Sequence, residues 1–176
     1  MPYLNIKKLA RFQRPGHRVT DNRRINSDGI GWEYVYLAIG DHLRVAFGSI
    51  ELDACGISAC RALLQARRLG VRFERVLADS GACYRSRLFR RVVRRLRIRH
   101  PRTCPHTPRI NGKAERLVRT RPREWAHARS HAMSDHRADA FVHWLHQYDW
   151  RRPHASLGHK PTIFRIPVNN LVGFLG

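Results

Sequence analysis

Hydrophobic and polar positions alternate over residues 3–9, with Leu4 and Ile6 on one side and Tyr3, Asn5 and Lys7 on the other. That period of two predicts a short half-buried strand, with Asn5 turned away from the Leu4/Ile6 side. Residues 11–32 are rich in Arg, Gly, Asn and Asp and show no period, which reads as a long basic loop of the length that serves function or motion. Residues 33–39 and 44–50 are rich in β-branched and aromatic side chains, and the turn formers Gly40, Asp41 and His42 lie between them. A hairpin, and with the first strand a three-stranded meander, follows.

The period then lengthens to that of a helix. From Asp53, a candidate N-cap, Ile57, Cys60, Leu63 and Leu64 recur at helical spacing until Gly70 supplies a stop. An apolar run over residues 73–78 predicts a strand that delivers Asp79 to its carboxyl end, just before Gly81. Ligands gather at that edge of α/β sheets, although an Asp there also serves simply as a turn residue.

A second helix is predicted over residues 86–97, with Leu88, Phe89, Val92, Val93 and Leu96 on one arc and Arg87, Arg90, Arg91, Arg94, Arg95 and Arg97 on the other. Beyond Pro105 and Pro108, Asn111 and Gly112 mark a turn, and residues 113–121 read as a helix with Glu115 in its first turn. There the helix dipole would favour a carboxylate in any case. A last amphipathic helix is predicted over residues 135–148 through Phe141, Trp144, Leu145 and Tyr148.

Length and composition narrow the picture. The 176 residues suit one domain, and 43% hydrophobic content with four Trp and seven Phe supplies a core. Against 13 acidic residues stand 34 Lys and Arg, a formal charge of +21, which makes nucleic acid the expected partner. No apolar run approaches the roughly 18 residues of a membrane span, and no signal peptide opens the chain. The six arginines on the 86–97 helix have no interleaved acid, so they form either a solvated face or a phosphate-binding one.

Cys55, Cys60, Cys83 and Cys104 show no CxxC pairing and read as reduced thiols. His127 and His131 form an HxxxH, but no second ligand pair follows at zinc-finger spacing.

Three segments carry a resemblance. Thirty-five residues separate Asp79 from Glu115. Val76-Leu77-Ala78-Asp79-Ser80-Gly81 leads into the first acid, and Pro108-Arg109-Ile110-Asn111-Gly112-Lys113-Ala114-Glu115-Arg116 surrounds the second. Further on stands Tyr148-Asp149-Trp150-Arg151-Arg152-Pro153-His154, with Leu157 and Pro161 after it. In spacing and context the chain resembles the catalytic cores of bacterial insertion-sequence transposases of the Asp-Asp-35-Glu, retroviral-integrase type, with their Asp-Asn-Gly, Pro-x-x-Asn-Gly-x-x-Glu-Arg and Tyr-Asn-x-x-Arg-Pro-His segments.

The resemblance implies an α/β ribonuclease-H-like fold, a central mixed five-stranded sheet flanked by helices, over residues 1–166, with residues 167–176 as a short tail. It implies DNA nicking and strand transfer with two Mg²⁺ or Mn²⁺ ions, Asp79 and Glu115 being carboxylate ligands. Lys113 would lie beside the DNA backbone, and Arg87, Arg90, Arg91, Arg94 and Arg95 would add affinity independent of sequence. The implied partner is double-stranded DNA at transposon ends and target, in the bacterial cytoplasm at the nucleoid, with a homo-oligomer left open and no membrane. For Tyr148, Arg152, Pro153 and His154, a packing and turn role that closes the core is preferred.

Departures from the pattern set further expectations. The first Asp of the family lies in a His-x-Asp-x-Lys strand, and the matching Tyr3-Leu4-Asn5-Ile6-Lys7 holds Asn5, which is neutral. Ser80 and Asp149 each stand where Asn is usual, and Pro122 interrupts the helix that follows Glu115. Met1 falls almost at the first core strand, which leaves no N-terminal helix-turn-helix and suggests a truncated copy. An impaired enzyme and a non-catalytic DNA-binding remnant that inhibits an intact transposase are the two readings. The charge alone would also permit a structural RNA-binding protein.

Overall fold

A computed structural model describes residues 2–16, 20–24, 29–40, 44–68, 74–78, 81–101, 123–128 and 130–165. The first strand, β1 (Pro2–Phe12), pairs antiparallel with β2 (Gly29–Gly40), which pairs antiparallel with β3 (Ala46–Glu51). Both strands of the first pair reach into the segment expected to be loop. There the ladder continues through Ala10↔Trp32 and Arg11↔Gly31 to an irregular step at Phe12↔Gly29. Gly31 sits beside this step with φ +115°, a conformation open to glycine and strained for other residues.

After helix α1 (Gly56–Arg68), β4 (Leu77–Ala78) joins β1 in parallel, Tyr3↔Leu77 and Leu4↔Ala78. The sheet is mixed, in the order β3-β2-β1-β4. Among the described residues it therefore has four strands where five were expected. A single parallel bridge, Arg75↔Arg99, takes the fifth place, with the Val76 and Arg99 amides donating to the Arg99 and Glu74 carbonyls at 2.9 and 2.8 Å. On the described side the pairing is limited: Arg97, just past the preceding helix, makes a left-handed turn, φ 55°, and Pro101 has no amide to donate.

Alternation along β2 divides the core. Tyr36 and Ala38 face α1, the short helix α2 (Ala82–Arg85) and α3 (Arg87–Arg95), where Ala59, Leu63, Tyr84, Phe89 and Val93 are buried. Val35, Leu37 and Ile39 face α4 (Ser134–Trp150), packing with Trp125, Phe141, Trp144 and Tyr148. Helices thus cover both sides of the sheet. Gly48 permits the second contact, because a Cβ there would strike the Tyr36 carbonyl and come within 2.8 Å of the Phe141 ring.

The helices differ from expectation in their ends and faces. Asp53 is not the cap of α1; three residues ahead of Gly56, its carboxylate accepts from the Cys55 amide and the Ser58 hydroxyl at 3.0 and 2.6 Å. Ile57 and Leu64 are exposed, while the expected Cys60 and Leu63 are buried with Ala59, Ala62 and Ala66, whose small side chains let the helix lie close to the sheet. Ser86 caps α3 by accepting from the Phe89 amide at 3.1 Å, and the helix closes at Leu96. Leu88, expected to pack, is 38% exposed, because the buried line is Phe89 and Val93. Cys55, Cys60 and Cys83 are free thiols, while Cys104, the 113–121 helix, Pro122 and the 167–176 tail lie outside the described residues.

Candidate active-site edge and nucleic-acid interface

Asn5 lies near the middle of β1, opposite Leu37, so its side chain is on the α4 side of the sheet, away from Leu4. It is half-buried, and its carboxamide takes part in none of the side-chain hydrogen bonds among the described residues. Lys7, two residues on and on the same side, is exposed. Beside Asn5, Ala78 is paired with Leu4, so β4 runs parallel to β1 and its described part ends level with Asn5's neighbour. Asp79 and Ser80 connect Ala78 to Gly81 and lie outside the described residues, as do Lys113 and Glu115. Of the three expected metal-site positions, only Asn5 is described.

Two carboxylates and one carboxamide would offer the oxygen ligands a hard divalent cation prefers, with one negative charge fewer than three carboxylates bring. Among the described residues, no group of three or more His, Cys, Asp or Glu could hold a metal ion. His131 is engaged otherwise: it is buried, with its ring Nε2 3.2 Å from the Trp125 carbonyl oxygen.

On the opposite side of the sheet, α3 turns Arg87, Arg90, Arg91, Arg94 and Arg95 outward, all exposed. The first four line a shallow groove of about 360 Å³. Among the described residues none of the five forms an ion pair with a carboxylate. Such a one-signed cluster is held together by the packing of Phe89 and Val93 beneath it, each burial stabilising by about 1.5–3 kcal/mol. No helix among the described residues is long and apolar enough to cross a membrane.

The tail motif is a structural hub. Tyr148 is buried and meets His154 edge to face at 5.0 Å, while the Arg152 guanidinium lies 5.5 Å from the Tyr148 ring centre and 2.7 Å from Glu124. A groove of about 600 Å³ runs past Glu124, Trp144, Gln147, Tyr148, Arg151 and Arg152. Asp149, buried, accepts from the Ala46 amide at 2.9 Å and from the Thr162 hydroxyl at 2.8 Å, joining the end of α4 to the start of β3. Burial pushes its carboxyl up to about 7, against the pull of those two donors.

A second buried group escaped the sequence reading. Arg137 on α4 bonds Glu33 on β2 at 3.0 and 2.7 Å and also donates to the Ala10 carbonyl, both side chains being about 5% exposed. Burial raises the Glu33 carboxyl, with Arg137 pulling the other way. The partners lie 104 residues apart, so neither carries a local signal of the other.

The sequence matches no curated protein. Residues 96–161 match the family described as "Integrase core domain". Among solved structures, the catalytic core domain of bovine immunodeficiency virus (BIV) integrase is similar with a TM-score of 0.60 at 12% identity, covering 92% of this chain and 91% of that one. The catalytic core domain of HTLV-2 integrase, solved in complex with magnesium, gives 0.59 at 12% identity, covering 93% of each. A chain of the simian T-cell lymphotropic virus intasome, solved with a PP2A regulatory subunit, gives 0.60 at 15% identity over 95% of this chain. The present chain spans about half of that chain's length, 54%. The fold is thus that of retroviral integrase catalytic cores, and residues 96–161 are similar in sequence to the integrase core domain family.

Proposed function

We propose that this chain is the DNA-binding catalytic core of an insertion-sequence transposase, built for metal-dependent nicking and strand transfer and impaired by Asn5. The observation that carries the reading is the parallel pairing of β4 with β1 beside Asn5, in a fold shared with integrase cores and with Glu115 inside the integrase core domain match. One peptide bond beyond Ala78, Asp79 would reach the same edge as Asn5. Asp79 and Glu115 would hold Mg²⁺ or Mn²⁺ there, with Asn5 as a weak third donor. Bound divalent cations supply activation of a water or 3′-hydroxyl and neutralisation of the leaving oxygen. The HTLV-2 core's complex with magnesium and the simian virus chain's place in an intasome support metal and assembly as properties to test here.

Lys113 and the arginines of α3 would bind the DNA backbone, as duplex transposon ends and target, in the bacterial cytoplasm. The absence of a charge at position 5 favours a second reading, a DNA-binding remnant that inhibits an intact transposase by occupying its ends or its oligomer. A nicking assay on supercoiled plasmid with Mg²⁺ separates them. In the proposed enzyme, Asn5→Asp raises the rate on the order of 10³-fold over a low but measurable wild-type rate that Asp79→Asn abolishes. Nicking seen only in Asn5→Asp would leave this copy as the remnant, and none in either would end the catalytic reading.

A further inference from the structure

The β1–β2 pair outruns the sheet. β3 covers β2 only between Tyr34 and Ile39, and β4 covers β1 only at Tyr3 and Leu4, so from Leu9↔Glu33 outward the two strands form a ribbon. One side of this ribbon is braced. The Glu33–Arg137 pair is buried beneath it, Arg137 also reaches the Ala10 carbonyl and lies 4.9 Å from the Phe12 ring, and the Phe12 amide donates to the Ser134 hydroxyl at 2.9 Å.

The other side is bare and of a particular composition. Trp32 is 52% exposed, Ile30 40%, and the Lys8 ammonium stands 4.0 Å from the Trp32 ring centre and 6.0 Å from that of Tyr34. On the ribbon's outer turn, Arg14, Arg23 and Arg24 are exposed, and Asp21 is the exposed acid there among the described residues. Exposed Trp32 and Ile30 beside the Lys8 ammonium form an apolar spot edged by positive charge, on a ribbon held in place by the buried ion pair behind it. It suits a polyanion that also carries flat apolar faces.

We infer that the Trp32–Lys8 face of the ribbon is a stacking platform for an unpaired strand of nucleic acid, Trp32 taking a base and Lys8 with its basic neighbours the flanking phosphates. Duplex DNA hides its bases, so this site adds to the α3 groove what that groove lacks: contact with DNA opened or frayed at a cut. The inference rests on the DNA-binding reading for the identity of the strand, and on the ribbon's own geometry for the stacking.

The test measures binding of the full chain to a fluorescein-labelled oligothymidylate and to a blunt duplex by anisotropy at one salt concentration. Trp32→Ala is expected to weaken oligothymidylate binding about ten-fold and duplex binding by less than about two-fold, with Trp32→Phe restoring most of the loss. Trp32 is exposed, so an unchanged melting temperature shows that the variant folds. An equal loss on both ligands, no loss on either, or a change in oligomeric state in Trp32→Ala would overturn the platform, the last assigning the face to a second copy of the chain. If wild type ignores the duplex while Trp32-dependent oligothymidylate binding persists, the transposase reading fails and the platform stands. Duplex binding that survives with no effect of Trp32 has the opposite meaning.

Discussion

Asp149 illustrates how one residue's chemistry depends on what surrounds it. The tail motif it belongs to is visible in the sequence, but its burial between the Ala46 amide and the Thr162 hydroxyl is not. A carboxyl raised from 3.8 to about 7 holds a proton in the folded chain that the unfolded chain has released. Its stabilising contribution is therefore complete below the unfolded value and lost as pH rises toward 7, where the buried anion carries its full desolvation cost. Asn keeps both accepted hydrogen bonds without the charge. Urea denaturation should show Asp149→Asn more stable than wild type by on the order of 2–4 kcal/mol at about pH 8, and nearly equal to it at about pH 4. A difference that does not vary with pH would contradict this account of the site. Asn5 presents the converse case, since its identity was plain from the sequence and its exposure and strand partner came from the fold.

At the scale of elements, α3 was legible because its two arcs differ so sharply, Phe89 and Val93 inward and five arginines outward. The expected boundary at Arg97 moved to Leu96 because the left-handed turn at Arg97 is made by the backbone rather than signalled by Gly. The four arginines of the groove make a prediction proper to the helix. Replacing Arg87, Arg90, Arg91 and Arg94 together by Ala should flatten the log–log salt dependence of duplex binding by about 3 to 4, at roughly 0.9 for each phosphate no longer neutralised. An unchanged slope would mean that the face is solvated and touches no phosphate. The ribbon is the element the sequence concealed. Its described strand ends, residues 11–12 and 29–33, lack a clear alternation because the side that meets α4 does so through polar contacts, the Phe12 amide with Ser134 and Glu33 with Arg137, instead of hydrophobic ones.

For the whole molecule, charge dominates. A formal +21 on 176 residues opposes the compact state, and among the described residues the Arg137–Glu33 ion pair is buried, whereas the arginines of Arg61–Glu51 and Arg152–Glu124 are exposed. Screening should therefore stabilise the fold. Raising sodium chloride from roughly 50 to 500 mM should increase Tm by about 2–4 °C for each kcal/mol of repulsion relieved, and duplex DNA at low salt should raise it further. A Tm that falls with salt would show that attractive pairs outweigh the repulsion.

By itself the sequence determined the order of most elements and the cationic face of α3, and its net charge set the expectation of a polyanionic partner. These follow from periodicity and charge, properties of residues near one another in the chain, while Asn5, Asp79 and Glu115 became candidates through the resemblance of their surrounding segments to transposase cores. Tertiary structure alone decided that the sheet among the described residues has four strands, that β4 joins β1 beside Asn5, that Asp149 and the Glu33–Arg137 pair are buried, and that Trp32 stands bare. Each of those depends on contacts between segments far apart in sequence, where burial and dielectric are set by what the whole chain packs against.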